Sequence, residues 1–422
     1  MTEVLVLGLA PLSMLLLGFP IYAVLMIASA FFLMLVLPLP FIAMHQVMYG
    51  AITKLALISI PFFILAGTIM GQGGISKRIV DWTLSIIGSI RGALALATVG
   101  ACTVFGAISG SSPATVAAVG GVLFPVLRKH GYSAQFASGL TVSAGAIALV
   151  IPPSIPMILY AASAEQDVGK LFLAGIVPGI LISFLMAIYI YWYCIRHGLK
   201  AEGDFDIRAV RHTTVRGAWA LLTPIIVLGG IYSGIFSPTE AAGVACVYAV
   251  IVAVIIYKDI GPLDVWKAAK SSGYLTAQLL IIVAASGVFV WLLTVNGVPV
   301  KLTTWIDSLG LPKWLLLLAI NLLLLLIGAI LEPISAILVF TPLLKPLVEA
   351  MGVDPIHFGI IMTVNLSIGM FTPPFGMNIF VFQAMFNENL GTVYRGLIPF
   401  ALVNVVALLL ITFIPGLSLL WF

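Results

Sequence analysis

Apolar runs dominate the chain, and short polar or Gly/Pro breaks divide them into helix-length pieces. Residues 4–18 and 20–37 predict two short spans hinged at Gly18-Phe19-Pro20, and a third span runs from Leu55 to Gly71. Crossing the hydrocarbon layer takes ~20 mostly apolar residues. Residues 41–53 mix apolar and polar positions at helical spacing, the pattern of a helix lying in the interface. Residues 92–108 and 113–127 are each too short or too interrupted to cross comfortably, and Ser109-Gly110-Ser111-Ser112-Pro113 separates them. Two short apolar helices around a small polar turn predict a re-entrant hairpin over 92–127. A span interrupted in its middle covers 132–164, and an unbroken one covers 171–195.

The polar stretch from Arg196 to Arg216 then divides the chain almost in half, and the order repeats. Spans are expected near 219–236 and 239–257, a basic amphipathic piece near 262–270, and a span at 273–294. A second apolar pair, 314–331 and 334–348, is separated by Glu332-Pro333 and predicts a second hairpin over 314–348. A second interrupted span covers 355–386, and a last span covers 396–420.

Both interrupted spans contain a double proline, Pro152-Pro153 in SAGAIALVIPPSIPMILYA and Pro373-Pro374 in NLSIGMFTPPFGMNIFVFQA. Proline removes an N–H, clashes with the preceding turn, and pushes the residue before it out of the helical region. Lipid cannot satisfy the backbone groups freed in this way, so they must face protein or a wet cavity. Paired breaks in corresponding positions of two halves point to a transporter's binding site. The correspondence holds residue by residue. Gly74-Ile75 with Trp82 matches Gly297-Val298 with Trp305, Gly106-Ala107-Ile108 matches Gly328-Ala329-Ile330, and Pro125 and Gly131 match Pro346 and Gly352. The predicted organisation is a first repeat over 1–196, a linker over 197–216 and a second repeat over 217–422. With five spans and one hairpin in each half, the odd number of spans turns the second half over, giving an inverted repeat.

Composition agrees with an all-α polytopic membrane protein: 62% of residues are hydrophobic and only 8% are charged, against roughly 25% in soluble domains. The net charge of +4 is no nucleic-acid signal, because the basic residues flank spans. Placing the N-terminus outside and the 197–216 loop in the cytoplasm puts 14 of the 19 Lys and Arg residues inside, as the positive-inside rule requires. The first hairpin would then enter from the cytoplasm and the second from the outer side. The three cysteines, Cys102, Cys194 and Cys246, lie in apolar stretches without metal spacing and read as small buried thiols. The N-terminus lacks the basic region of a cleaved signal peptide and reads as the first span.

Candidate chemistry gathers at the hairpin tips and breaks. Ser109, Ser111 and Ser112, with Thr115 a turn later, offer hydroxyl oxygens, and a broken helix adds free carbonyls, the hard ligands that a monovalent cation such as Na⁺ takes. Half-helix N-termini favour anions and C-termini favour cations. The plain alternative is that these small residues only let helices pack closely. Glu332 stands in an otherwise apolar stretch and requires a cavity or a partner; a structural ion pair or a helix-terminal acid near the interface is the plain alternative. Asn365, Thr372 and Asn378 bring side-chain oxygens to the second break, or else serve as hydrogen-bonding glue between helices. Ser237-Pro238-Thr239-Glu240 reads as a helix cap. The five histidines form no metal or triad pattern, and no phosphate-binding loop for ATP is present, so the chain reads as no enzyme.

The segments GAISGSSPAT, IPPSIPMILYA, FSPTEAAG and TPPFGMNIFV, in this order and spacing, resemble the large membrane subunit (DctM type) of TRAP transporters, the tripartite ATP-independent periplasmic transporters of bacteria. The resemblance runs essentially from end to end. It implies an elevator-type fold of the ion-transporter superfamily in the bacterial inner membrane, with hairpins and broken helices forming a mobile body inside a scaffold. It implies Na⁺-coupled uptake of an organic acid anion such as a C4-dicarboxylate or a sialic acid. The expected partners are a periplasmic substrate-binding protein and a small four-helix membrane subunit, here a separate chain because this one opens on its first span. Carried onto this sequence, one Na⁺ site lies between Ser109–Ser112 and the break from Gly145 to Pro152 and Pro153, and a second lies between Gly328 and the Gly369–Thr372 break. Substrate would touch Ser109 or Ser111, Ser154 and Glu332. No cation is available at the tips, so backbone N–H groups, bound Na⁺ or an arginine from elsewhere must meet the carboxylate. Rival readings are a stand-alone Na⁺/carboxylate symporter of the same fold, an ion channel, and an intramembrane enzyme, the last weakened by a lone acid at membrane depth.

Overall fold

The computed structural model describes residues 10–37, 40–72, 74–199 and 206–422, and these are helical with short connections. Eight helices among the described residues are long and apolar enough to cross a membrane. The chain is a polytopic helical membrane protein. Residues 4–9 of the expected first span and residues 200–205 of the linker lie outside the described residues.

Three expectations need correction. The linker is shorter than 197–216, because the helix Ile207–Tyr232 begins inside it. Asp206 caps that helix by accepting from the Arg208 N–H, and the Arg-rich first turns continue unbroken into the apolar part. The expected amphipathic piece 262–270 and span 273–294 are one helix, Pro262–Val295. Gly273 between them has open space around it and does not break the ladder, which costs only about 1 kcal/mol relative to alanine. The last span starts earlier than 396, at Leu390, where Asn389 caps it. The three cysteines are buried, and Ser237 is the expected cap, forming a capping box with Glu240.

At both expected hairpins the chain folds as two helices joined by a tight turn, and each arm of the second is long and apolar enough to cross a membrane. The first pairs Ala93–Ser109 with a second arm running from Ser112 to Lys129 through a π-helical stretch at Val116–Gly120. The second pairs Lys313–Ile330 with Pro333–Ala350. Both interrupted helices are also present. The first runs Ala134–Gly145, winds tighter over Ala146–Leu149, turns through the double proline and restarts as Ile155–Ala164. The second runs Pro355–Gly369 and restarts as Met377–Phe386. The Pro152-Pro153 and Pro373-Pro374 bonds are cis.

The leading halves of the broken helices are the centre of the molecule. Every residue from Phe136 to Gly145 and from Ile356 to Gly369 is buried, as expected for helices apolar on all sides. Each leading half packs on the hairpin of its own half of the chain, whereas the trailing halves cross over. Ile155–Ala164 packs on the second hairpin's Pro333–Ala350, and Met377–Phe386 packs on the second arm of the first hairpin. Phe124 of that arm meets the rings of Phe382 and Phe386 at 4.8 and 4.6 Å. The helices Ile21–Leu35, Phe41–Ile52 and Ser59–Gln72 each pack on Pro262–Val295 outside this centre.

The closest helix approach in the centre joins Ala134–Gly145 to Leu390–Phe413. A Cβ on Gly396 would lie 1.9 Å from the Gln135 carbonyl oxygen, and one on Gly139 would lie 2.1 Å from that of Gly396. Gly396→Ala therefore forces two backbones apart and should cost about 3 kcal/mol, the upper end for overpacking. Gly243→Ala, on a helix face with open space, should be neutral or slightly stabilising. Thermal unfolding of the detergent-solubilised variants checks both.

Candidate functional site

The first hairpin tip is set by Gly110. Its φ of +57° reverses the chain after Ser109, and a Cβ there would meet the Pro153 carbonyl oxygen at 2.6 Å. The tip is thereby pressed against the first double-proline turn. Gly145 is pressed on the same hairpin, where a Cβ would lie 2.3 Å from Val116 Cγ2 and 3.4 Å from the Ser112 carbonyl oxygen. In the second half, a Cβ on Gly369 would meet the Gly328 carbonyl oxygen at 2.4 Å, and the Phe375 N–H donates to the Ala329 carbonyl. Each break is thus capped by the tip of its own hairpin, and the two residue sets expected to bind Na⁺ are each brought together: Ser109, Ser112, Gly145, Pro152 and Pro153 at one, and Gly328, Gly369 and Thr372 at the other.

Side chains complete the seals. The Ser109 and Thr115 hydroxyls are 3.1 Å apart, and Thr115 donates to the Ser111 carbonyl. Thr372 donates to the Ile368 carbonyl at 2.7 Å, which leaves its oxygen lone pairs available. Ser112 donates to Asn378 Oδ1 at 2.9 Å, and Asn378 Nδ2 donates to the Val142 carbonyl at 3.0 Å. Asn378 therefore ties the trailing half of the second broken helix to the first hairpin and the first broken helix at once. Asn365 acts as glue toward Asn321, whose own amide donates to Thr412; Asn365 Oδ1 has no partner.

A cavity of about 560 Å³ lies between the two tips and is lined by Ser109, Gly110, Ser111, Ser112 and Glu332. Its other wall is formed by the outer helices Ile21–Leu35, Ser59–Gln72 and Pro262–Val295, through Ile21 and Tyr22, Gly67 and Thr68, and Leu275, Gln278 and Ile282. Besides the start of Ile21–Leu35 in that other wall, four helix beginnings from the hairpins and broken helices open on the cavity. They are Ser112–Ala114, Ile155–Pro156, Pro333–Ile334 and Met377, the starts of the two second hairpin arms and of the two trailing halves. Three of these starts carry a proline in the first turn, where its missing N–H is no loss. Helix N-termini are partially positive and present free N–H groups. No Lys, Arg or His is among the described residues lining the cavity, and Glu332 is the one acid among them. Glu332 Oε1 accepts from Ser335 at 3.2 Å within its own first turn, so it has no ion-pair partner among the described residues.

Ser154 was expected at the substrate and lies elsewhere. It is buried, its hydroxyl donates to the Leu149 carbonyl freed by the break, and the cavity is lined by the following Ile155 and Pro156 instead. The scaffold wall was not anticipated. Gln278 is the one amide between Leu275 and Leu279, and an amide inside a span is the signal that could have found it.

Comparison with known proteins places this architecture. The family model described as "Tripartite ATP-independent periplasmic transporter, DctM component" matches residues 9–417. The chain belongs to the DctM family. This DctM chain is similar to the C4-dicarboxylate TRAP transporter large permease protein DctM of Pseudomonas aeruginosa, 42% identical over 363 residues that cover 86% of this chain and 85% of that protein. It is similar to the ectoine/5-hydroxyectoine TRAP transporter large permease protein UehC of Ruegeria pomeroyi, 38% identical over 414 residues that cover 97% and 96%. Among solved structures it shares its fold with the YdaH transporter of Alcanivorax borkumensis, at a TM-score of 0.65 and 16% identity, covering 89% of this chain and 88% of that one. DctM-family membership makes the protein a transporter permease, and the cavity between the tips is its candidate transport site.

If Asn378 joins the two halves as described, Ser112→Ala and Asn378→Ala should each destabilise the protein by about 1–3 kcal/mol, the cost of a buried polar group left without its partner. Their effects should be non-additive by at least about 0.5 kcal/mol. A double-mutant cycle on denaturation midpoints measures the coupling.

Proposed function

We propose that this chain carries an organic acid anion, such as a C4-dicarboxylate, a sialic acid or a related carboxylate, into the cell, coupled to Na⁺ entry. The observation that carries this reading is the cavity with four helix N-termini and no cationic side chain among its described lining residues. A carboxylate is held there by backbone N–H groups and helix dipoles. Na⁺ ions at the two sealed breaks supply the remaining positive charge, one between Ser109–Ser112 and Gly145–Pro153, the other between Gly328 and Gly369–Thr372. Binding of anion and cation is then mutually dependent, because each lowers the electrostatic cost of the other. Glu332 accepts a substrate hydroxyl, amide or ammonium group. The names of the relatives, which include C4-dicarboxylate and ectoine permeases, support a small carboxylate as cargo.

The hairpins and broken helices move as an elevator body against the scaffold helices, and the cavity's position between the two supports this. The crossed packing supports an inverted repeat. The charge distribution supports a periplasmic N-terminus and a cytoplasmic central loop in the bacterial inner membrane. A periplasmic binding protein delivers the substrate, and a small four-helix subunit completes the complex, as the tripartite family description supports.

The test is uptake of radiolabelled organic acids into proteoliposomes holding this chain and its small subunit, with and without an inward Na⁺ gradient and the binding protein. Saturable uptake that requires both is expected. Uptake driven by Na⁺ without the binding protein would replace this reading by a stand-alone symporter, and gradient-independent, non-saturating flux would leave a pore. Glu332→Gln should slow uptake of a hydroxylated substrate about tenfold, the loss of one charge-assisted hydrogen bond. Thr372→Val should raise the half-saturating Na⁺ concentration, whereas Ser154→Ala should leave both half-saturating concentrations unchanged.

A further inference from the structure

A second polar cavity, of about 300 Å³, lies far from the breaks in sequence, where the helices Ile75–Ile87 and Ile207–Tyr232 meet the end of the span Pro238–Ile256. Its wall carries Lys77, Arg78, Asp81, Arg216 and Asp259. Two of these neutralise each other: Arg78 grips both Asp259 oxygens and stacks its guanidinium 3.8 Å over the Tyr257 ring. The pair is fixed further by Tyr257, whose hydroxyl donates to the Arg216 carbonyl at 2.9 Å. Three charges remain. Lys77, Arg216 and Asp81 are exposed, and none has an ion-pair partner among the described residues. Two cations and one carboxylate leave the cavity with one uncompensated positive charge.

The cavity sits where chain polarity changes. Arg216 is the last charge before the apolar run that begins at Ala218, and Lys258 and Asp259 are the first after the run that ends at Ile256. Below it, Trp219, Leu222, Ile251 and Ile255 are exposed apolar side chains on the same two helices. Trp82 is held at this level by donating its Nε1–H to Thr214, and aromatic rings mark the headgroup level of a bilayer. Charge that faces this boundary, directly above an acyl-chain surface, meets lipid phosphates.

We propose that this cavity binds the headgroup of an anionic phospholipid, its phosphodiester between Lys77 and Arg216 and a hydroxyl of the headgroup donating to Asp81. The charge count selects the class. A phosphoglycerol headgroup carries one negative charge and free hydroxyls, so it neutralises the cavity and gives Asp81 a donor. An ethanolamine headgroup has no net charge and leaves the excess in place. The Arg78–Asp259 pair is the rigid floor and does not itself release a charge to the lipid.

The experiment is thermal unfolding of the purified full chain in phosphatidylcholine–detergent micelles, to which phosphatidylglycerol, phosphatidylethanolamine or inorganic phosphate is added. Phosphatidylglycerol should raise the midpoint, since a ligand that binds only the folded state stabilises it. Phosphatidylethanolamine and inorganic phosphate should not. Lys77→Gln with Arg216→Gln should weaken the phosphatidylglycerol response roughly thirtyfold in lipid concentration, from the loss of two interfacial cations, while its midpoint in phosphatidylcholine alone stays that of the parent. A full response in the double variant, or equal responses to phosphatidylglycerol and phosphatidylethanolamine, would overturn the proposal. An equal response to inorganic phosphate would assign a free-anion site and overturn the lipid. Should the double variant not fold, Lys77→Gln alone carries the same comparison at about fivefold, and native mass spectrometry of the parent chain must then retain phosphatidylglycerol in preference to phosphatidylcholine.

Discussion

Broken backbone inside an apolar layer must be satisfied from within the protein, and the centre of this molecule is arranged around that requirement. Each double-proline turn frees carbonyls and N–H groups at membrane depth. The first is closed by the Gly110 tip against the Pro153 carbonyl and by the Ser154 hydroxyl on the Leu149 carbonyl. The second is closed by the Phe375 N–H on the Ala329 carbonyl and by the Asn378 N–H on the Met370 carbonyl. The hairpins exist in this arrangement because the breaks need covers, and the covers need breaks to rest on. Close approach of backbones is what makes the closure possible, which is why Gly106, Gly110, Gly328 and Gly369 stand at the contacts rather than larger residues.

The same closure orients four helices with their starts toward one cavity. An anion there meets distributed partial charge instead of a lysine or arginine. On the proposed function, a site of partial charges holds an anion alone less tightly than a permanent cation would and releases it sooner, and Glu332 at the cavity wall favours a cargo with a donor group.

The double prolines and the hydroxyl-rich tip were legible because both break strong local rules in an apolar run, and both hairpins and both broken helices follow from them. Boundaries were less legible. The helix Ile207–Tyr232 begins in charged sequence, and Pro262–Val295 runs past a glycine, because amphipathic and apolar stretches of one helix differ in surroundings, not in backbone. Ser154 was misplaced for a physical reason: whether a hydroxyl beside a break faces the cavity or closes the break depends on the direction of one rotamer, which spacing does not encode. Gln278 and Thr68 reach the cavity only through tertiary packing of distant helices. Membership of the DctM family rests on motifs that could be read in the chain, and the partner-facing and lipid-facing chemistry does not.

The crossed packing of the trailing halves has a consequence for biosynthesis. The second arm of the first hairpin rests on Met377–Phe386, and Ser112 is bonded to Asn378. At ~5–20 residues per second, the ribosome needs on the order of tens of seconds between the two. For that interval the first half is inserted with an open seam lined by Phe124 and the Ser112 hydroxyl. The growing chain must keep this seam out of lipid, against the insertion machinery or in a looser arrangement, until its own last third arrives to close it.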